Sequence, residues 1–141
     1  IGNRNEYLTK LIRKLNLNDK VLMFGFIKPI DEIFYLSDLF IHSSYREGLP
    51  VSLMQAMSYG LPVIASNIRG NKDLITHGEN GLLFNPKDEN QLAVQLDTLL
   101  TNDRLVEKFS KANKEKYKEY SADSINTKLF RIYEQTLKKS N

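Results

Sequence analysis

The residues whose types and spacing could do chemistry lie between Arg46 and Met57: Arg46-Glu47-Gly48-Leu49-Pro50-Val51-Ser52-Leu53-Met54-Gln55-Ala56-Met57. An apolar run, Leu39 to His42, precedes the segment, Ser43 to Pro50 reads as a loop, and Val51, Met54 and Met57 fall at helical spacing until Gly60 stops them. A strand-loop-helix junction of this kind aims unpaired backbone N–H groups and the positive end of a helix dipole at its crevice, which suits a phosphate. Glu47 at the mouth of the loop cannot favour phosphate, but its carboxylate can accept hydrogen bonds from sugar hydroxyls. The combination points to a ligand carrying both a diphosphate and a sugar. Arg69 is a further cation that could meet such a ligand or merely cap a loop. His42, at a strand end, reads as a proton shuttle, a ligand contact or a packed strand histidine. Tyr45 and Arg46 lie on the same loop with no decisive physical argument for either, and His77 reads as a turn residue.

The elements that must position these groups alternate. Tyr7, Leu8, Leu11, Ile12 and Leu15 predict a helix from Asn5 to Leu15, and Val21-Leu22-Met23-Phe24-Gly25 predicts a strand buried on both faces. A short helix over Ile30 to Leu36 and strands at Leu39 to His42, Pro62 to Ala65 and Leu82 to Phe84 follow, with helices over Val51 to Tyr59 and Asn71 to Thr76 between them. Ile1 to Arg4 reads as the end of an earlier strand. After Asp88 there is no strand signal, only helical spacing in Leu92, Leu96, Leu99 and Leu100, then in Asp103 to Tyr117, then in Ile125, Leu129, Ile132, Tyr133 and Leu137. The expected fold is a doubly wound, Rossmann-like α/β parallel sheet with C-terminal helices, and such sheets bind ligands at the carboxyl ends of their strands.

At 141 residues the chain has room for one core, and no internal boundary interrupts residues 1–141. The apolar runs fall far short of the roughly 20 residues of a membrane helix. Absence of cysteine excludes disulfides, thiolate zinc sites and a cysteine nucleophile, and is compatible with a cytoplasmic location. There is no Asp-x-Asp motif. Net charge is +3, with Lys108, Lys111, Lys114, Lys116, Lys118, Lys128, Arg131, Lys138 and Lys139 crowding the last third. Glu107, Glu115, Glu119 and Glu134 are interspersed, so a solvated helix face is expected there in preference to a surface for nucleic acid or anionic lipid headgroups.

Read together, Glu47 to Gln55, the following Ala56-Met57-Ser58-Tyr59-Gly60-Leu61-Pro62-Val63-Ile64-Ala65-Ser66, Arg69-Gly70-Asn71-Lys72-Asp73-Leu74-Ile75 and Gly78-Glu79-Asn80-Gly81-Leu82-Leu83 resemble the retaining GT-B glycosyltransferases of the Glu-x7-Glu family. The resemblance covers essentially the whole chain. It implies the C-terminal, nucleotide-sugar-binding half of a two-domain bacterial enzyme, in which Glu47 contacts the transferred sugar and amides from Gly48, Leu49, Val51 and Ser52 contact sugar and diphosphate. It further implies that Gln55 occupies the place of the second Glu, which binds ribose hydroxyls; Gln keeps an acceptor and adds a donor but loses the charge-assisted bond. Pro50 stands where the family often has Gly and offers no N–H.

The implied donor is a UDP-linked sugar, used without a metal or other cofactor, and the implied product is a bacterial surface polysaccharide made at or near the inner face of the membrane. The acceptor, a glycan or lipid-linked molecule, would be bound by an N-terminal domain that this chain lacks. An Arg and a Lys that the family carries on the first strand-helix unit of this domain are missing as well. The start at Ile1-Gly2, without initiator Met or signal pattern, leads to the expectation of an excised piece that is inactive alone. A nucleotide-sugar epimerase of the same fold and a non-catalytic α/β binding module are the alternatives.

Overall fold

The computed structural model describes residues 2–139, with side-chain surroundings from 5 to 137, in two compact units, Ile1–Asp31 and Glu32–Asn141. In the first unit α1 spans Gly2–Lys14. It ends where Asn16 enters the left-handed region at φ 54. There Asn16 N–H bonds to Arg13 C=O at 3.1 Å and Leu17 N–H to Ile12 C=O at 3.0 Å, the paired bonds of a Schellman cap.

Two expectations fail in this unit. Gly2, Asn3 and Arg4 are not the end of a strand but the first turn of α1; Ile1 lies outside the described residues. None of these three residues is β-branched or aromatic, so nothing local holds the backbone extended. The run Val21 to Phe24 forms no strand, and its side chains are exposed. Apolar composition there records a need for cover, whereas a strand requires a ladder partner for its N–H and C=O groups.

The second unit carries the sheet. α2 (Asp31–Leu36) leads into β1 (Phe40–His42), α3 (Val51–Ser58), β2 (Val63–Ser66), α4 (Arg69–Lys72) and β3 (Leu82–Phe84). The strands are parallel in the order β1-β2-β3, with His42 opposite Ala65 and Ala65 opposite Leu83. β2 is central and wholly buried, and its side chains divide between two faces. Val63 and Ala65 pack with Leu53, Met57, Leu74 and Ile75 under the crossover helices. Ile64 packs with Leu82, Phe84, Leu99 and Phe109 under the closing helices α5 (Glu89–Leu100) and α6 (Asp103–Tyr117). Helices on both faces of a parallel sheet make this the expected α/β fold.

Three details lock the unit. α3 ends in a second Schellman cap: Gly60 has φ 73, Gly60 N–H bonds to Met57 C=O at 2.9 Å and Leu61 N–H to Ala56 C=O at 3.0 Å. α5 and α6 start on side-chain caps, with Asp88 accepting from Gln91 N–H and Asn102 from Leu105 N–H. Buried Asn113 on α6 donates to Leu61 C=O at 2.8 Å and accepts from Asn80 at 3.0 Å, while Asn80 also donates to Leu74 C=O at 3.0 Å and accepts from Thr76 N–H at 2.8 Å. A 3-10 turn at Lys118–Tyr120 then joins α6 to α7 (Ala122–Lys139).

Candidate functional site

The carboxyl ends of β1 and β2 bring Glu47 into an open cleft of about 760 Å³ lined by Arg46, Glu47, Gly48, Arg69 and Asp73. The position follows from the fold, since both flanking loops leave the same end of a parallel sheet. α3 begins directly after buried Pro50, which sits at the cap position with φ -75 and ψ 109 and offers no side-chain cap. The helix carries no acidic residue in its first turn. No carboxylate within the helix's first turn therefore offsets the positive end of its N-terminal amides.

Of the candidate residues, the structure brings Glu47, Gly48 and Arg69 together in the cleft. Leu49, Val51, Ser52 and Gln55 are not among its lining. Leu49 and Val51 are exposed on the loop and the first turn of α3, and Ser52 is half-buried beside them. Gln55 is one turn further along the exposed face that Val51 starts. The helix face buried opposite carries Leu53, Ala56 and Met57.

A chain of hydrogen bonds holds the Glu47 loop. Ser44 Oγ donates to Glu47 Oε1 at 2.7 Å. Ser44 C=O in turn accepts from Ser66 Oγ at 2.5 Å. Asn71, fully buried on α4, donates through Nδ2 to Ser66 C=O at 2.9 Å and to Ser66 Oγ at 3.0 Å. Gly70 approaches the same loop so closely that a Cβ would fall 2.8 Å from Glu47 C=O and nearer still to Gly48 C=O. Only glycine fits under this loop without moving it.

His42 proves to be a packed strand histidine that also faces the site. Its ring stacks on Phe40 with centroids 6.0 Å apart, and Nε2 lies 3.5 Å from Glu47 Oε1. That separation is within ion-pair reach but makes no hydrogen bond, and Nε2 is buried without a partner. His77 is the expected turn residue, accepting through Nδ1 from Leu83 N–H at 2.9 Å. Sequence reasoning missed the Ser44, Ser66 and Asn71 chain and the place of Asp73 on the cleft wall. The available signal was two serines at or just beyond the carboxyl ends of adjacent strands, a pattern with no meaning until the strands are paired. Among the described residues no group of three ligating side chains is placed to hold a metal ion.

The family model for glycosyl transferases group 1 matches residues 1–116. The chain belongs to this family. Among curated relatives, the N-acetyl-alpha-D-glucosaminyl L-malate synthase of Bacillus anthracis is 28% identical over 98% of the chain, which spans 37% of that protein. Among solved structures, sucrose-phosphate synthase from Thermosynechococcus elongatus superposes with a TM-score of 0.86 at 25% identity, over 98% of this chain and 35% of its own. A complex of S. aureus TarM with Fondaparinux, alpha-GlcNAc-glycerol and UDP gives a TM-score of 0.81 at 28% identity, over 91% of this chain and 26% of its own. The chain thus spans between about a quarter and somewhat more than a third of the length of these proteins, and its fold is that of the corresponding part of the GT-B structures.

Proposed function

We propose that this chain is the donor-binding part of a retaining glycosyltransferase that moves a hexose from a nucleoside-diphosphate sugar to a growing glycan. The observation that carries the reading is the cleft lined by both Glu47 and Arg69, with Glu47 on the loop that runs into α3, whose N-terminus has no side-chain cap. A carboxylate suits sugar hydroxyls, whereas a guanidinium and free amides suit a diphosphate. Glu47 orients the transferred sugar. Gly48, Leu49, Val51 and Ser52 supply amides to sugar and diphosphate, Arg69 faces the leaving phosphates, and Gln55 reaches the ribose. Departure of a diphosphate from an oxocarbenium-like centre needs electrostatic stabilisation above all, and positioned amides and cations provide it.

UDP as the nucleotude carrier is supported by its presence in the S. aureus TarM complex. Retention, work without a bound metal and a place in bacterial surface polysaccharide synthesis rest on the family resemblance of Glu47 to Ser66 and Arg69 to Leu83. The chain is proposed to be one domain of a longer enzyme, whose remaining domain binds a glycan or lipid-linked acceptor at the cytoplasmic face of the membrane. No helix among the described residues is long and apolar enough to cross a membrane. Calorimetric titration of the full-length protein with UDP, alongside a donor-hydrolysis assay with UDP-sugars, tests the proposal. UDP binding with release of sugar is expected; absence of both overturns it.

A further inference from the structure

The Nε2 nitrogen of His42 is buried without a hydrogen-bond partner beside Glu47, and the donor-binding reading gives it no work. The side chain is 12% exposed, and the polar group in reach of Nε2 is the Glu47 oxygen 3.5 Å away. A buried polar atom left unpaired costs about 1–3 kcal/mol, so closing those few tenths of an ångström to a charge-assisted bond is favourable. Little else competes for the ring. The elements packed against β1, namely β2 and α3, carry no ionisable side chain. α2, which reaches β1 through the Phe34–Phe40 ring contact, has its Asp31 and Glu32 exposed, as is the neighbouring loop cation Arg46.

The second donor to the same oxygen is already in place. Ser44 Oγ reaches Oε1 at 2.7 Å, and its own backbone is fixed by Ser66 and, behind it, Asn71. Oε2 has no hydrogen-bond partner among the described residues. Neither His42 nor Ser44 lines the cleft, whereas Glu47 does.

We propose that His42 and Ser44 are positioning residues that grip the Glu47 carboxylate by Oε1 alone, His42 donating through Nε2–H, so that Oε2 is left as the acceptor for a hydroxyl of the transferred sugar. The device rests on the donor-binding reading for its purpose but not for its geometry. Two fixed donors on one oxygen remove the rotation by which a free glutamate would present either oxygen at several angles, and a fixed acceptor is worth most in a transition state.

Two measurements on the full-length protein separate the device from the function it serves. Long-range ¹H–¹⁵N spectra of histidine-labelled protein in mildly alkaline buffer, with the His42 signal identified by its loss in His42→Gln, are expected to show the Nε2-protonated ring without any ligand. An Nδ1-protonated His42 overturns the proposal. In turnover of the UDP-sugar, His42→Leu and Ser44→Ala are expected to lower kcat about tenfold or more, with the Kd for bare UDP changed less than about twofold. His42→Gln and Ser44→Thr, which keep a donor, are expected to recover most of the loss. Turnover by His42→Leu equal to that of the parent, or parallel losses of kcat and UDP affinity, overturns the positioning role. A parent that neither binds UDP nor turns over donor removes the donor-binding reading, and the tautomer then decides the grip on Glu47 by itself.

Discussion

At the scale of single residues, Glu47 and Gln55 make opposite demands on experiment. Glu47 lines the cleft and is proposed to meet sugar, so Glu47→Ala in the full-length enzyme is expected to lower turnover at least tenfold more than it weakens UDP. Equal losses would place the carboxylate at the nucleotide instead. Gln55 is exposed on α3 and outside the cleft lining, and is proposed to meet the ribose. A charge-assisted bond contributes about 1.5–3 kcal/mol against roughly 1 for a neutral one. Gln55→Glu is therefore expected to hold or tighten UDP by up to about tenfold, roughly 1.4 kcal/mol, and Gln55→Ala to weaken it. The check is calorimetry with UDP and deoxy-UDP; if removing the ribose hydroxyls costs parent, Gln55→Glu and Gln55→Ala alike, Gln55 does not touch the ribose.

At the scale of elements, the contacts between α4 and the Glu47 loop and between α6 and the 61–80 region set the geometry. A methyl at Gly70 would meet backbone carbonyls of Glu47 and Gly48, which cannot swing aside as a side chain would. Gly70→Ala is expected to cost about 1–3 kcal/mol and to weaken UDP binding, because the loop must lift; denaturant midpoints and UDP titration read the two effects. Gly60 differs, since a Cβ there meets the flexible Lys114 side chain, although its φ of 73 still favours glycine. Asn113→Ala removes the side-chain donor to Leu61 C=O and the acceptor of one of the two Asn80 Nδ2–H bonds in the core, Asn80 keeping its bond to Leu74 C=O. A loss of about 2 kcal/mol in urea unfolding is expected, with UDP affinity in the folded protein little changed.

For the whole molecule, the second unit has one hydrophobic cluster on each side of β2 and a third around Phe34, Ala56 and Leu61, none of which includes a residue of the cleft lining. Three lysines of the C-terminal third pair with glutamates one turn away, Lys116 with Glu119 at 3.0 Å, Lys118 with Glu115 at 2.5 Å and Lys111 with Glu107 at 3.8 Å, while Lys108 reaches Gly78 C=O at 2.7 Å and Lys128 reaches Glu119 C=O at 3.3 Å. Lys138 and Lys139 lie outside the described side chains. Hydrogen bonding to Glu119 raises the pKa of Lys116 above its ordinary value, with burial opposing. Whatever this pair adds to stability is complete below the ordinary lysine pKa and is lost as pH climbs through the raised value. Expressed alone, the chain is expected to unfold cooperatively by circular dichroism yet transfer no sugar to any acceptor, since it spans about a third of its relatives. Transfer by the isolated chain would show that the proposed acceptor-binding domain is dispensable.

Much of this protein was determined by local sequence. The cap at Gly60, the strands at Phe40, Val63 and Leu82, the three closing helices and the placement of Glu47 after a strand all follow from period and turn chemistry, because those signals act within a few residues. Tertiary structure decided the rest. Val21 to Phe24 has the composition of a strand, yet a strand exists only where another backbone satisfies it. Ser44, Ser66 and Asn71 are polar residues of no evident purpose until β1 pairs with β2 and α4 folds over their ends. His42 faces Glu47 only because the loop between them turns back on its own strand. Contacts between residues far apart in the chain carry no local periodicity, so the grip on the carboxylate had to be read from the folded molecule.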